Sequence, residues 1–368
     1  MDPIELTKTL VAIESPTFHE GPALAYLAGV LERAGYRVTR QSVPTAAGVA
    51  APRVIDASPP GERWNLYAWR EPPAVVFSTH LDCVPPYVPL GEDDEWIYGR
   101  GSCDAKGIAA AMVAAAERLA EAGERRVGLL FVVGEENGSD GAHAAHALEP
   151  RGQFFINGEP TENLLCIGQK GSLRIDLEAT GRAAHSAYPA EGQSAIIPLL
   201  ETLRTIRRLP LAFDPVLGES SLNIGTIRGG VAPNVIPAHA AAQILVRTVG
   251  PTKEFKEQVR LAADPAVSVS AEVEIPAYKG EGLPGWETTV VGYASDLPFF
   301  RNWGRRYQLG PGSIRVAHTD RERIAKGELL RGVELYVKLA NDLLASEGAA
   351  GERPAGEPSA SEPARKTR

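Results

Sequence analysis

Apolar positions along this chain keep three different rhythms. From residue 3 to 35, Leu6, Leu10, Ile13, Leu24, Leu27 and Leu31 recur at helical spacing, which predicts a helix over that stretch. Ala74 to Ser78 is a short apolar run of the kind that makes a buried strand, and His80 and Asp82 lie just past its end. Residues 107–122 are alanine-rich and predict the strongest helix of the chain, with side chains small enough for close packing on a sheet. Gly128 to Val133 predicts another strand, which runs straight into Gly134-Glu135-Glu136. Strand, helix, strand in this order predicts an α/β unit with a mostly parallel sheet. Sheets of that kind gather their ligands beyond the carboxyl ends of the strands.

The rhythm changes after Gly171. Residues 172–180 alternate like a strand, 193–208 repeat like a helix, and 221–228 and 239–247 read as two strands. A helix over 252–263 and a strand over 267–275 follow, so the order is β-α-β-β-α-β, the split arrangement of a small α+β sandwich. It reads as a unit of residues 172–279 inserted into a first one made of 1–171 and 280–347, which closes with a helix over 327–345. Gly348 to Arg368 is rich in Pro, Glu, Ser, Gly and Ala, with no apolar residue larger than alanine, and is expected to be a disordered tail.

Composition narrows the setting. A chain of 368 residues, 44% hydrophobic and 23% charged, is long enough for two globular units. Its net charge of −8 argues against a nucleic-acid or anionic-membrane partner. No apolar run approaches the ~20 residues that span a bilayer. The start, Met1-Asp2-Pro3-Ile4-Glu5, lacks the basic and apolar regions of a signal peptide. Cys83, Cys103 and Cys166 have no framework spacing and suit a reducing compartment, so the cytoplasm is the expected location.

The chemistry lies at the ends of the apolar runs. His80, Asp82, Asp104, Glu135, Glu136, Glu159 and His318 are poor choices there unless a cation occupies the space between them. Imidazole and carboxylate together suit Zn²⁺, with Co²⁺ or Mn²⁺ as alternatives. One arrangement serves two ions: His80 and Glu159 on the first, Glu136 and His318 on the second, and Asp104 bridging. Asp82 is placed to accept the N–H of the His80 imidazole and fix its tautomer. Glu135 faces away from its neighbour on an extended chain, which makes it the natural general base. Asp104 is also expected to help cap the helix that begins at Ala105.

These residues sit in segments that resemble the zinc aminoacylase and carboxypeptidase family. They are Phe77-Ser-Thr-His80-Leu-Asp82, Tyr98-Gly-Arg-Gly-Ser-Cys-Asp104-Ala-Lys-Gly107, Gly134-Glu135-Glu136 and Gly158-Glu159-Pro160. Four motifs in order cover nearly the whole chain apart from the tail. The resemblance implies the same ligand set, Glu135 as base, and an inserted unit that forms a homodimer. Gly181-Arg-Ala-Ala-His185-Ser is similar to the segment whose histidine reaches the partner's active site and steadies the oxyanion. Val231-Ala-Pro-Asn234-Val-Ile-Pro237 is similar to the family's substrate-binding turn, and Arg247 to the arginine that grips a substrate carboxylate.

Leu309-Gly-Pro-Gly312-Ser313 ahead of His318 looks most like the acetylornithine deacetylase branch, with Gly312 at the substrate. Cys83 and Asp320-Arg321-Glu322 depart from that branch. The first raises oxidation sensitivity, and the second leaves the acyl group open. The expected activity is therefore metal-dependent removal of an acyl group from a small N-acyl amino acid, N-acetylornithine first, as in arginine biosynthesis. Succinyl-diaminopimelate, lysine or ornithine linked to an amino-group carrier protein, and dipeptides are the alternatives.

Overall fold

The computed structural model describes residues 1–44 and 62–351, and in it the expected first helix is two. Helix α1 spans Pro3–Ala12 and α2 spans Gly21–Arg33. Proline lacks an N–H to donate and disfavours helical backbone at the residue before it, so Ser15-Pro16 interrupts the run. The released segment is used as a brace. The Ser15 carbonyl accepts from Cys83 N at 2.9 Å, and Thr17 Oγ1 donates to the Asp82 carboxylate at 2.8 Å.

The first unit is built on strands β1 (Arg37–Ser42), β2 (Trp64–Trp69), β3 (Val75–His80), β4 (Val127–Val132), β5 (Phe154–Asn157) and β6 (Leu165–Gln169). Strands β3, β4 and β5 are parallel neighbours and buried throughout, which is why they read as continuous apolar runs. Helix α3 (Lys106–Glu121) covers them, buried at every position from Lys106 to Ala116. Alanines over most of that stretch let α1, the sheet and the C-terminal helix all approach it.

The insertion follows β6. Strands β7 (Gly171–Thr180), β8 (Ser221–Gly229), β9 (His239–Thr248) and β10 (Val267–Ile275) form an antiparallel sheet in the order β8-β9-β7-β10. Helices α4 (Ile196–Ile206) and α5 (Lys253–Ala262) contribute Leu199, Leu203, Ile206 and Val259 to a core with Leu173, Ile175, Leu177, Ile244 and Val246. This is the expected β-α-β-β-α-β order. Burial alternates along β7 because one face meets this core and the other does not.

The chain then returns to the first sheet with β11 (Tyr278–Lys279), β12 (Thr288–Val291) and β13 (Arg305–Gln308). The path of the completed sheet is β1-β2-β4-β3-β5-β13-β6-β11, with β12 beside β6. Its centre, β4-β3-β5-β13, is parallel, and antiparallel pairs flank it. Helix α6 runs Lys326–Gly351, past the expected end at 345 and into the predicted tail, whose residues 352–368 lie outside the described ones. Among the described residues no helix is long and apolar enough to cross a membrane.

Gly107, in the first turn of α3, marks how closely the helix start is packed. A Cβ there would lie 2.3 Å from the Ser102 carbonyl oxygen. Replacing an exposed helical glycine with alanine normally stabilises by ~1 kcal/mol. Gly107→Ala is expected to act in the opposite direction and cost about 1–3 kcal/mol through overpacking. Urea denaturation measures this, and an unchanged or raised midpoint would show that the Ser102 loop yields.

Candidate metal centre

Three adjacent parallel strands deliver most of the chemistry to one edge of the sheet. Strand β3 ends at His80, β4 leads into the turn carrying Glu135 and Glu136, and β5 leads into Glu159. The turn after β4 needs a glycine. Gly134 has φ +74°, and a Cβ on it would lie 2.4 Å from Arg63 Nη2. Asp104 lies just ahead of α3, and His318 lies between β13 and α6 with φ +62°.

The five residues expected to hold metal come together as two overlapping sets. Ligand atoms of His80, Asp104 and Glu159 lie within 4.8 Å of one another, and so do those of Asp104, Glu136 and His318. Asp104 is common to both. Its Oδ1 is 3.1 Å from His80 Nε2 and its Oδ2 is 3.3 Å from His318 Nε2, while His318 Nε2 is 2.9 Å from Glu136 Oε1. A carboxylate with one oxygen toward each imidazole has the geometry of a bridging ligand. The expected capping role is not found: α3 starts from Ala105 with no side-chain cap, because both Asp104 oxygens are turned to the histidines.

The electrostatics follow from this packing. Burial disfavours the Asp104 charge, but hydrogen bonds from His318 and His80 outweigh it and hold the carboxyl below the usual carboxylate range. The Asp104 and Glu136 carboxylates push the His318 imidazole up to about 10. His80 is held well above the ordinary histidine value, with Asp104 and Asp82 overcoming the effect of burial. Glu159 is raised well above the usual range by burial and by Asp104, and among the described residues its side chain accepts a hydrogen bond only from Asn157 Nδ2, at 3.3 Å. Glu135 belongs to neither set, and burial and Glu159 raise it strongly.

Asp82 has a broader part than its spacing suggested. The back of the His80 ring, Nδ1, meets the Asp82 backbone carbonyl at 2.9 Å, whereas the carboxylate is farther off at 3.5 Å. That carboxylate accepts from Glu135 N and Glu136 N, each at 3.1 Å, as well as from Thr17. It therefore fixes the acidic turn as well as the imidazole. Thr17 and Asn157 were not foreseen. Thr17 is 65 residues away along the chain from its partner, whereas Asn157 had a signal, a buried amide closing the run Phe154-Phe-Ile. Cys83 is buried and its thiol is pushed up to about 11 by that burial, which removes the reason to expect easy oxidation.

The remaining expected residues lie on or near the insertion. Arg247 is half-buried near the end of β9, one register step from Gly171, where the chain enters this unit. Among the described residues its side chain has no hydrogen-bond or ion-pair partner. Burial lowers its guanidinium below the ordinary value, and Glu135 is the charge that opposes this. His185 and Asn234 are brought together: His185 bridges Val235, and Ser186 N donates to the Asn234 carbonyl at 3.0 Å. Both are exposed, and His185 makes no hydrogen bond or ion pair with the ligand sets among the described residues. Gly312 is buried with φ +88°, and a Cβ on it would lie 2.6 Å from Cys103 Sγ, so it packs its loop onto the segment carrying Asp104.

Residues 76–342 match the model of peptidase family M20/M25/M40. A peptidase M20 domain-containing protein of Schizosaccharomyces pombe is 36% identical over 349 residues, covering 91% of this chain and 83% of that protein. A probable carboxypeptidase of Aspergillus terreus is 37% identical over 373 residues, covering 90% and 84%. Among solved structures, a dinuclear metal-binding peptidase of Bacillus subtilis superposes with a TM-score of 0.61 at 14% identity, over 93% of this chain and 98% of that one.

The raised His318 imidazole has a consequence for metal loading. A cation entering between Asp104 and Glu136 must displace a proton at any pH below about 10. Zn²⁺ binding by chelator-treated protein is expected to release protons and to tighten as pH rises through the neutral range. Calorimetry in two buffers of different ionisation enthalpy reads this directly. Identical heats in both would mean that no proton is displaced.

Proposed function

The chain belongs to peptidase family M20/M25/M40, and on that premise we propose a two-metal amide hydrolase whose substrates carry a free carboxylate beside the scissile bond. The carrying observation is the pair of ligand sets sharing Asp104, with Glu135 beside them and in neither. The donors fit Zn²⁺, Co²⁺ or Mn²⁺, and the weakly partnered buried carboxylate of Glu159 fits a cation at its side. Held by these residues, two such ions would supply Lewis acidity toward the scissile carbonyl and toward water.

Glu135 would take a proton from the attacking water and deliver it to the leaving nitrogen. Arg247, whose side chain has no hydrogen-bond or ion-pair partner among the described residues and whose burial is opposed by the charge of Glu135, holds the substrate carboxylate bidentately. The Gly312 loop, packed on Cys103, borders the substrate beside Asp104, and Asn234, next to His185, acts with it. His185 donates to the developing oxyanion. Its exposure, and its lack of contact with the ligand sets of its own chain, favour service to the site of a partner subunit. In this reading 172–279 is the dimerising unit and 1–171 with 280–347 the catalytic one. Exposed Ile197 and Leu200 on α4, with Ile227 and Val231 by edge strand β8, supply apolar surface for a homodimer. The three buried unpaired cysteines suit the cytoplasm.

Within this class the Gly-Pro-Gly loop favours N-acetylornithine, and the carboxypeptidase name of relatives such as that of Aspergillus terreus favours a short peptide cut at its last residue. Both present a carboxylate next to the amide, which is the feature Arg247 reads. The test is amine release from N-acetylornithine, succinyl-diaminopimelate and an N-blocked dipeptide, each compared with its carboxamide. At least one acid is expected to turn over, with its amide slower by about 100-fold and Glu135→Gln slower by about 10²–10⁴-fold at unchanged metal content. Equal rates for acid and amide would remove the Arg247 role. Silence on every small substrate with two ions bound would leave a larger one, such as a carrier protein.

A further inference from the structure

Asp104 can bridge only if its peptide group is fixed within the irregular segment that carries it, and one distant side chain accepts from that group. Glu322 is 1% exposed and lies 218 residues along the chain from Asp104. Its Oε1 accepts from Gly101 N at 2.9 Å, Cys103 N at 3.3 Å and Asp104 N at 3.2 Å. Its Oε2 takes the Arg100 guanidinium at 2.5 Å, and its backbone carbonyl accepts from Gly99 N at 3.1 Å. Arg100 Nη1 also donates to the Thr319 carbonyl at 3.2 Å, next to His318. The segment bearing the shared carboxylate and the segment bearing one of its imidazoles are thus joined through a single buried ion pair.

We propose that Glu322 is a positioning residue for the metal centre, setting Asp104 midway between His80 and His318. This rests on the reading of Asp104 as the shared ligand. Three N–H groups converging on one oxygen curl the backbone, and one of them belongs to Asp104 itself, so the ligand is anchored at its own peptide group. Without that acceptor these donors would be buried and unpaired. The segment would still be wedged in place, because the glycine at 101 sits so close to its neighbours that a Cβ would come 2.7 Å from Cys83 Sγ and 2.8 Å from Lys106 Cδ. Loss of Glu322 therefore loosens the position of Asp104 while leaving the chain path intact.

The test separates positioning from stability. In Arg100→Met/Glu322→Gln the buried charges are gone but an acceptor oxygen remains, whereas Arg100→Met/Glu322→Leu removes the acceptor too. Folding is checked by near-ultraviolet circular dichroism. Zn²⁺ affinity is read by competition with a chromophoric chelator, and geometry by the visible spectrum of the Co²⁺-loaded protein. The Gln double variant is expected to bind both ions within about threefold of the starting protein. The Leu double variant is expected to lose tenfold or more at one position or both, with an altered Co²⁺ spectrum. Glu322→Asp, which keeps the charge on Arg100 but draws the oxygen back by one methylene, is expected to lose affinity likewise and serves if the Leu variant does not fold. Equal affinity and spectra across folded variants would overturn the proposal and leave the ligand sets standing. A starting protein that does not take two ions would overturn the ligand reading, and this one with it.

Discussion

The constraint on which everything else depends is the repulsion among carboxylates gathered at one edge of a buried sheet. Asp82, Asp104, Glu135, Glu136 and Glu159 all reach the same region, where a poorly screened charge is costly without a partner. The fold answers them one at a time. Asp82 receives two backbone N–H groups and a threonine hydroxyl, Asp104 two imidazoles, and Glu136 one of the same imidazoles. Glu135 and Glu159 are left without a cationic contact among the described residues, and both hold their protons far more tightly than a free carboxylate does. A scaffold that is this apolar beneath and this acidic at its rim is organised for positive charge brought from outside.

The two units meet through a narrow, crowded crossing. Gly171 begins the inserted sheet, and a Cβ there would come within 2.4 Å of Thr248 Oγ1 and 2.5 Å of the Ile275 carbonyl oxygen. A hairpin of the inserted unit, Phe213–Asp214 with Gly218–Glu219, is tied to the same crossing. Lys170 Nζ donates to the Glu219 carbonyl at 2.5 Å, and Lys279 pairs with Asp214 at 2.6 Å. Both lysines lie on the segments that join the units, so the ties act beside Arg247, which sits one register step from Gly171.

Much of this was legible in the sequence, for reasons that differ by element. Strands β3 and β4 announced themselves as continuous apolar runs because both their faces are covered, and β7 through its alternation because one face is not. The Ser15-Pro16 break was also written in the sequence, but the leucines on either side kept the same spacing and masked it. The returning strands β11, β12 and β13 have between two and four residues each, too few for any period to show. The ligand residues stood out because each ends an apolar run or opens a helix. Thr17 and Glu322 did not, since nothing local marks a side chain whose purpose is a partner 65 or 218 residues away. Asp320-Arg321-Glu322 read as a departure bearing on the acyl group. The structure instead shows its last residue buried against the backbone of the Asp104 segment.

The bracing of Asp82 by Thr17 at one end of the chain, and of Asp104 by Glu322 near the other, has a consequence for how the molecule comes into being. No contiguous fragment shorter than residues 17–322 contains the site together with both of its braces. The inserted sheet is the opposite case, with all of its strand pairs inside about a hundred residues, so it needs neither of the distant segments that brace the site. During synthesis the insertion can therefore reach its fold while the surrounding unit still waits for its last strand and for α6. The acidic rim is then completed by the same segment that supplies His318, so the chain does not present its full set of metal-seeking groups until well after the inserted sheet has been made.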